Sequence, residues 1–120
     1  MAGSFESPHG RLEVHDDVIA TLAGNALAGI DGVVGMSARS VKDGILEVLG
    51  RDNWSRGVEV LWDGDKMHLN LNVVVAYGVA IPEVAARVAQ RVRTKVEEGS
   101  GIPVSHVEIR VNGVKVPDRP

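Results

Sequence analysis

The residues of this 120-residue chain best equipped for chemistry are its four histidines, and His68 and His106 are the pair that a fold can bring together. If the strands that begin near them lie side by side, both imidazoles share one polar face. Glu108 then adds an oxygen donor, completing a nitrogen–oxygen set of the kind that holds zinc. The bland reading is that each histidine stands at a strand start, where solvated polar side chains are ordinary, with no third strong ligand fixed by local spacing. No metal, cofactor or catalytic residue is assigned on this basis. His15-Asp16-Asp17 is better explained by the preference of acidic groups for a helix N-terminus, and His9 lies in a polar end segment.

Other routes to catalysis are thinly supported. A nucleophilic hydroxyl needs a base and an orienting acid. Ser37, Ser40, Ser55 and Ser100 sit in turn-like contexts, none in a nucleophile-elbow pattern. The carboxylate pairs Asp63/Asp65 and Glu97/Glu98 occupy a hairpin turn and a helix end, where solvated acids are routine. With no cysteine, a disulfide scaffold, a thiolate nucleophile and a zinc–thiolate site are all excluded. The expectation is a protein that is not an enzyme.

Residues 29–35 hold two overlapping four-residue glycine patterns, the form of the phosphate-clamping loop in KH-type RNA domains. Their interiors are Ile30-Asp31 and Val33-Val34, where a clamp benefits from cationic or polar groups, so turn glycines are the preferred reading. The more suggestive feature is Arg87, Arg91 and Lys95, which follow four-residue spacing and form a basic ridge on one helix, with Arg93 to one side. Like charges so spaced repel mildly, and Glu83 is placed to offset Arg87. The ridge is either a solvated helix face or a docking site for an acidic partner. Trp54 and Trp62, if exposed, are natural contact anchors. The candidate partner-binding surface is therefore Arg87, Arg91, Lys95, Trp54 and Trp62.

These groups must be positioned by one small core. At 44% hydrophobic and 24% charged the chain has globular proportions, and its length suits one domain. Aromatics are only 3%, which leaves little material for stacking bases or sugars. A net charge of −3 gives no long-range pull toward phosphate backbones or anionic lipid. The first eight residues lack the basic start and apolar stretch of a secretory signal, and no apolar run approaches the ~20 residues of a membrane-spanning helix. A cytoplasmic location is expected, with any membrane association through a partner and no direct insertion.

Along the chain, residues 1–9 and 117–120 read as flexible tails flanking a domain over 10–116. Leu12 and Val14 alternate with polar neighbours as a short strand. Asp16 opens a helix with Ile19, Leu22, Ala23, Ala26 and Leu27 on one face, stopped near Gly29. A turn running into a short buried strand follows over 29–36, and then a helix over 40–49 with Val41, Ile45, Val48 and Leu49 inward. From Gly57 the period changes to two. Val58, Val60 and Trp62 share a face, Asp63-Gly64-Asp65 turns the chain, and Leu69, Leu71, Val73, Val75 and Tyr77 return. Glu59, His68, Asn70 and Asn72 fall on the opposite, wet face, whose far end turns apolar at Val74 and Ala76. Pro82 starts a helix striped with Val84, Ala85, Val88, Val92 and Val96, closed by Gly99-Ser100-Gly101. A last strand has Val107, Ile109 and Val111 on one face and His106, Glu108, Arg110 and Asn112 on the other. The fold class is α+β: a small mixed sheet, an antiparallel hairpin plus a parallel strand reached by a helical crossover, with helices packed on one face.

In that order the elements resemble the alkaline shock protein family. The matching residues are Gly10 with Leu12 and Val14; Val18-Ile19-Ala20 with Ala23; Ile30-Asp31-Gly32-Val33-Val34-Gly35-Met36; and Gly57-Val58-Glu59-Val60. Later come the valine-rich strand ending Ala76-Tyr77-Gly78, then Ile81-Pro82-Glu83-Val84-Ala85, and residues 104–113. They span about 10–114, with least correspondence over 37–56. The resemblance implies a non-enzymatic bacterial protein of the envelope and general stress response that supports cell-envelope homeostasis. It further implies a protein partner, in some members a membrane-anchored one that recruits it to the inner membrane face, and assembly with itself into oligomers. It carries over no catalytic residues. The alternative is a KH-like RNA-binding module, favoured by the small α+β plan and the basic ridge but opposed by the acidic balance and aromatic poverty, so no nucleic acid is expected.

Overall fold

The structure, a computed structural model, describes residues 2–38 and 48–116. In chain order these form β1 (Ala2–Ser7), β2 (Gly10–His15), α1 (Asp16–Leu27), β3 (Val33–Ser37), β4 (Val48–Leu49), a 3₁₀ helix (Arg51–Gly57), β5 (Val58–Asp63), β6 (Lys66–Ala76), α2 (Ile81–Ser100) and β7 (Val104–Lys115). Strands β3 to β7 make one mixed sheet built on β6. Along one edge β6 is antiparallel to β5 over residues 66–71 and to β3 over residues 73–75; along the other it is parallel to β7. The expected α+β plan is the one observed, with the helical crossover supplied by α2.

The core forms because two periodicities meet. In β6 every second side chain, Met67, Leu69, Leu71, Val73 and Val75, points to the helix layer and is buried. In α2, Val84, Val88, Val92 and Val96 recur at four-residue steps on one stripe and are buried against that surface. Valine is a mediocre helix former because its branched Cβ restricts χ1. Burial offsets this, at about 1.5 kcal/mol or more per side chain. Pro82 lies in the first turn of α2, and Gly101 ends it in the left-handed conformation (φ 74°), its N–H donating to the Glu97 carbonyl at 2.8 Å. On α1, Gly24 faces the 3₁₀ helix, where a Cβ would stand in ordinary contact with the Ser55 backbone nitrogen at 3.4 Å.

Three expectations change. Residues 2–7 are not a tail but β1, paired antiparallel with β2 from Ala2↔His15 to Ser7↔Gly10. Trp62 is the cause. Its indole N–H donates to Asp16 Oδ1 at 2.7 Å, its ring meets Phe5 edge-on at 6.2 Å, and Gly3 packs so close that a Cβ would fall 2.5 Å from the ring. Second, the helix expected over 40–49 lies mostly outside the described residues, but its end is strand. Val48 and Leu49 pair with Ser37 and Met36, Leu49 buried and Val48 exposed. Third, Asn70 and Asn72 are buried (4% and 2% exposed) although they face away from the helices, because strands flank them on both sides. The expected tail at 117–120 lies outside the described residues.

If Trp62 is what holds the β1–β2 ribbon, Gly3→Val should release it without unfolding the sheet. Amide hydrogen exchange over residues 2–14 is expected to accelerate about tenfold or more while β6 amides keep their protection. Equal loss of protection in both would show that the ribbon and the core open as one unit.

Candidate functional site

The basic ridge lies on the solvent side of α2 because the valine stripe fixes the helix by its opposite face. Arg87, Arg91 and Lys95 come together with Gln90 and Thr94 as one wall of an open groove of about 460 Å³, whose other wall is Gly29, Ile30 and Asp31. The glycine segment and the ridge, separate features in the sequence, are thus two sides of one depression. Two of the cations also hold the structure. The Arg91 Nε donates to the Ala26 carbonyl in the last turn of α1 at 3.2 Å, and an Arg87 guanidinium nitrogen donates to the Asp31 carbonyl at 3.3 Å. The Arg91 bond satisfies a carbonyl that the end of α1 leaves without a helical partner, and the Arg87 bond reaches a carbonyl of the turn that follows. Each bond uses one donor of a five-donor fork, and both side chains line the groove. Lys95 touches Glu98 only at 4.0 Å, an exposed pair of little energetic weight.

The glycine segment joins α1 to β3, and Gly29 and Gly32 have φ of 86° and 95°, as turn glycines do. At Gly32 a Cβ would press on a Val84 methyl at 2.7 Å, so glycine there admits the start of α2.

Neither tryptophan has the exposure that the contact-anchor expectation required. Trp54 is 8% exposed in the core beside α1, and Trp62 is half-buried beneath the N-terminal ribbon. Of the serines, Ser37 is fully buried and its Oγ accepts from Asn112, while the Ser100 Oγ donates to the Val96 carbonyl and accepts from the Ile102 N–H. Glu97 and Glu98 diverge: Glu97 accepts the Val104 N–H at 2.8 Å and so fixes the start of β7. Ser40 lies outside the described residues.

The outer face of the sheet, wet by its sequence pattern, carries a polar network. Asn72 Nδ2 donates to the Gly57 carbonyl, and Asn112 Nδ2 donates to Asn72 Oδ1 and to Ser37 Oγ, at 3.0–3.1 Å. Farther along, Asn70 Nδ2 donates to Glu59 Oε1 at 2.8 Å, which turns the Asn70 oxygen to His68 Nε2 at 3.0 Å. The rings of His68 and His106 lie 4.6 Å apart, and one ligand atom each from His68, His106 and Glu108 falls within 4.8 Å of the others. The side-by-side arrangement expected of the two histidines is therefore present.

The model of the alkaline shock protein family, described as having a cell envelope-related function, matches residues 4–116. The uncharacterized protein YloU of Bacillus subtilis (strain 168) is 37% identical over 117 residues, covering 97% of this chain and 98% of that protein. The uncharacterized protein Spy1614 of Streptococcus pyogenes serotype M6 is 33% identical over 117 residues, covering 97% of each. The uncharacterized protein YqhY of Bacillus subtilis (strain 168) is 30% identical over 106 residues, covering 88% of this chain and 78% of that protein. No solved structure matches the chain.

The buried asparagine network makes a measurable demand. Asn72→Leu strands the Gly57 carbonyl and removes one acceptor of Asn112, so stability to urea should fall by about 1–3 kcal/mol. A change below about 0.5 kcal/mol, the range of ordinary surface substitutions, would mean that water already serves these groups.

Proposed function

The chain belongs to the alkaline shock protein family, of cell envelope-related function, and from that premise we propose that it works without catalysis, by docking an acidic segment of a protein partner in the α2 groove. The observation that carries this reading is the convergence of Arg87, Arg91 and Lys95 on one groove opposite residues 29–31. Three cations against the single carboxylate of Asp31 leave that lining at +2, on a chain whose net charge is −3. A local positive patch on an acidic molecule selects its ligand: a short acidic peptide feels the groove, whereas a long polyanion also meets the repulsive remainder. Guanidinium forks suit carboxylates, which they bind bidentately. Ile30, buried in the wall opposite the cations, makes that side of the groove partly apolar.

In this role the protein serves the cytoplasmic side of the envelope and the stress response, reaching the membrane through an anchored partner and assembling with further copies of itself. Among the described residues no helix is long and apolar enough to cross a membrane. The anchor in this reading belongs to the partner.

Fluorescence anisotropy with a labelled glutamate-rich peptide tests the groove. The wild-type chain should bind it, more weakly as salt rises, because exposed charges are screened over about 10 Å at 0.1 M. Arg87→Glu with Lys95→Glu should cut affinity at least about tenfold, the weight of 1.4 kcal/mol. Arg91 is kept in that variant because its part-buried bond ties α2 to α1, whereas the Arg87 bond to the Asp31 carbonyl is exposed. Binding that is absent, or equal in the variant, overturns the proposal. Single-stranded RNA bound more tightly than the peptide, and lost in the same variant, would replace it with an RNA-binding role.

A further inference from the structure

We propose that His68, His106 and Glu108 form a binding site for a zinc-type divalent cation on the face of the sheet opposite the groove. Two imidazoles and a carboxylate are a donor set that zinc accepts, and three protein ligands leave a coordination position for water. Zinc at about 2.0–2.1 Å from each donor needs them about 3.3 Å apart. The separations here, within 4.8 Å, close by side-chain rotation alone, since His106 is exposed and the Glu108 side chain is 43% exposed.

The arrangement around the three groups is built rather than incidental. Pairing runs Met67↔Val104 and then His68↔His106, so Ser105 is an extra residue bulged out of β7. Without the bulge His106 would lie opposite Leu69 and point into the core; with it, His106 stands beside His68. The Ser105 Oγ donates to the Met67 carbonyl at 2.8 Å and pins the bulge. Behind the donors is a supporting layer of the kind that orients metal ligands. Glu59 fixes the Asn70 amide and Asn70 fixes the His68 ring. Arg110 holds Glu108 Oε2 through two nitrogens at 2.9 Å, leaving Oε1 as the donor. Charge favours a cation: Glu59 and Glu108 outweigh Arg110, while Asp63 and Lys66, paired at the end of the hairpin, offset each other.

The ion would join β7, an edge strand, to the central β6 and so clip the parallel pair at its start. Its contribution to stability follows mass action, rising with free metal above the dissociation constant.

Zinc chloride titrated into the full chain by isothermal calorimetry should show one equivalent bound, with an accompanying rise in melting temperature. His106→Ala, at an exposed position whose loss does not threaten the fold, should weaken binding at least about tenfold and abolish the melting shift. His15→Ala, which removes an imidazole 3.4 Å from Glu13 on β2, should change neither. The proposal fails if no heat of binding is seen, if the His106→Ala variant with unchanged circular dichroism binds equally, or if the His15→Ala variant loses the metal. Because the groove is on the other side of the sheet, this result stands apart from the outcome of peptide binding.

Discussion

The parallel pairing of β7 with β6 is the constraint on which the rest of the molecule depends. Ten residue pairs, Met67↔Val104 to Ala76↔Lys115, lock the two strands, and side-chain direction alternates with every residue. A slip of one position would send the valines of β7 to the open face and its polar residues into the core. Two extra residues on β7, Ser105 and Asn112, adjust the alternation where the pattern needs it. Both are held by side-chain hydrogen bonds, Ser105 to Met67 and Asn112 to Ser37 and Asn72. The second bulge thereby ties β7 across β6 to β3, linking strands that are far apart in the chain.

From that register two faces of different chemistry follow. Toward the helices the sheet is aliphatic, so α2 has only one way to seat its valine stripe, and its cations are turned outward to the segment after α1. Away from the helices the sheet carries amides, imidazoles and carboxylates bonded side to side. Neutral amides suit the narrow, buried positions between strands, because an asparagine can satisfy donor and acceptor together where a charge would need desolvation. Ionisable groups appear where the face opens, at His106, Glu108 and Arg110. Charge is thus confined to places where water or a ligand can reach it.

What can be read from the sequence tracks how local each cause is. The alternation from Val58 to Val75 and the four-step stripe from Val84 to Val96 carry their own periods, so the hairpin, α2 and the facing of β7 are legible. The pairing of His68 with His106 follows from the parallel crossover, although the bulge that perfects it leaves no local sign. β1 is illegible because Ala2 to Ser7 has no apolar alternation; what orders it is Trp62, whose bond to Asp16 spans 46 residues. The same distance effect hides the roles of both tryptophans, since a bulky aromatic side chain looks alike whether it anchors a partner or a ribbon of its own chain. Half of the groove is visible in the spacing of Arg87, Arg91 and Lys95. Its other wall, residues 29–31, is brought there only by the packing of α1 on α2.

A nuclear Overhauser spectrum of the chain in solution tests the register most directly. A cross-peak is expected between the ring protons of His68 and His106, whose centroids lie 4.6 Å apart, and none from either ring to the methyl groups of Val88 or Val92. Cross-peaks from the His106 ring to those valines, with no contact between the two imidazoles, would place β7 one residue out of step and overturn the pairing of β6 with β7 described above.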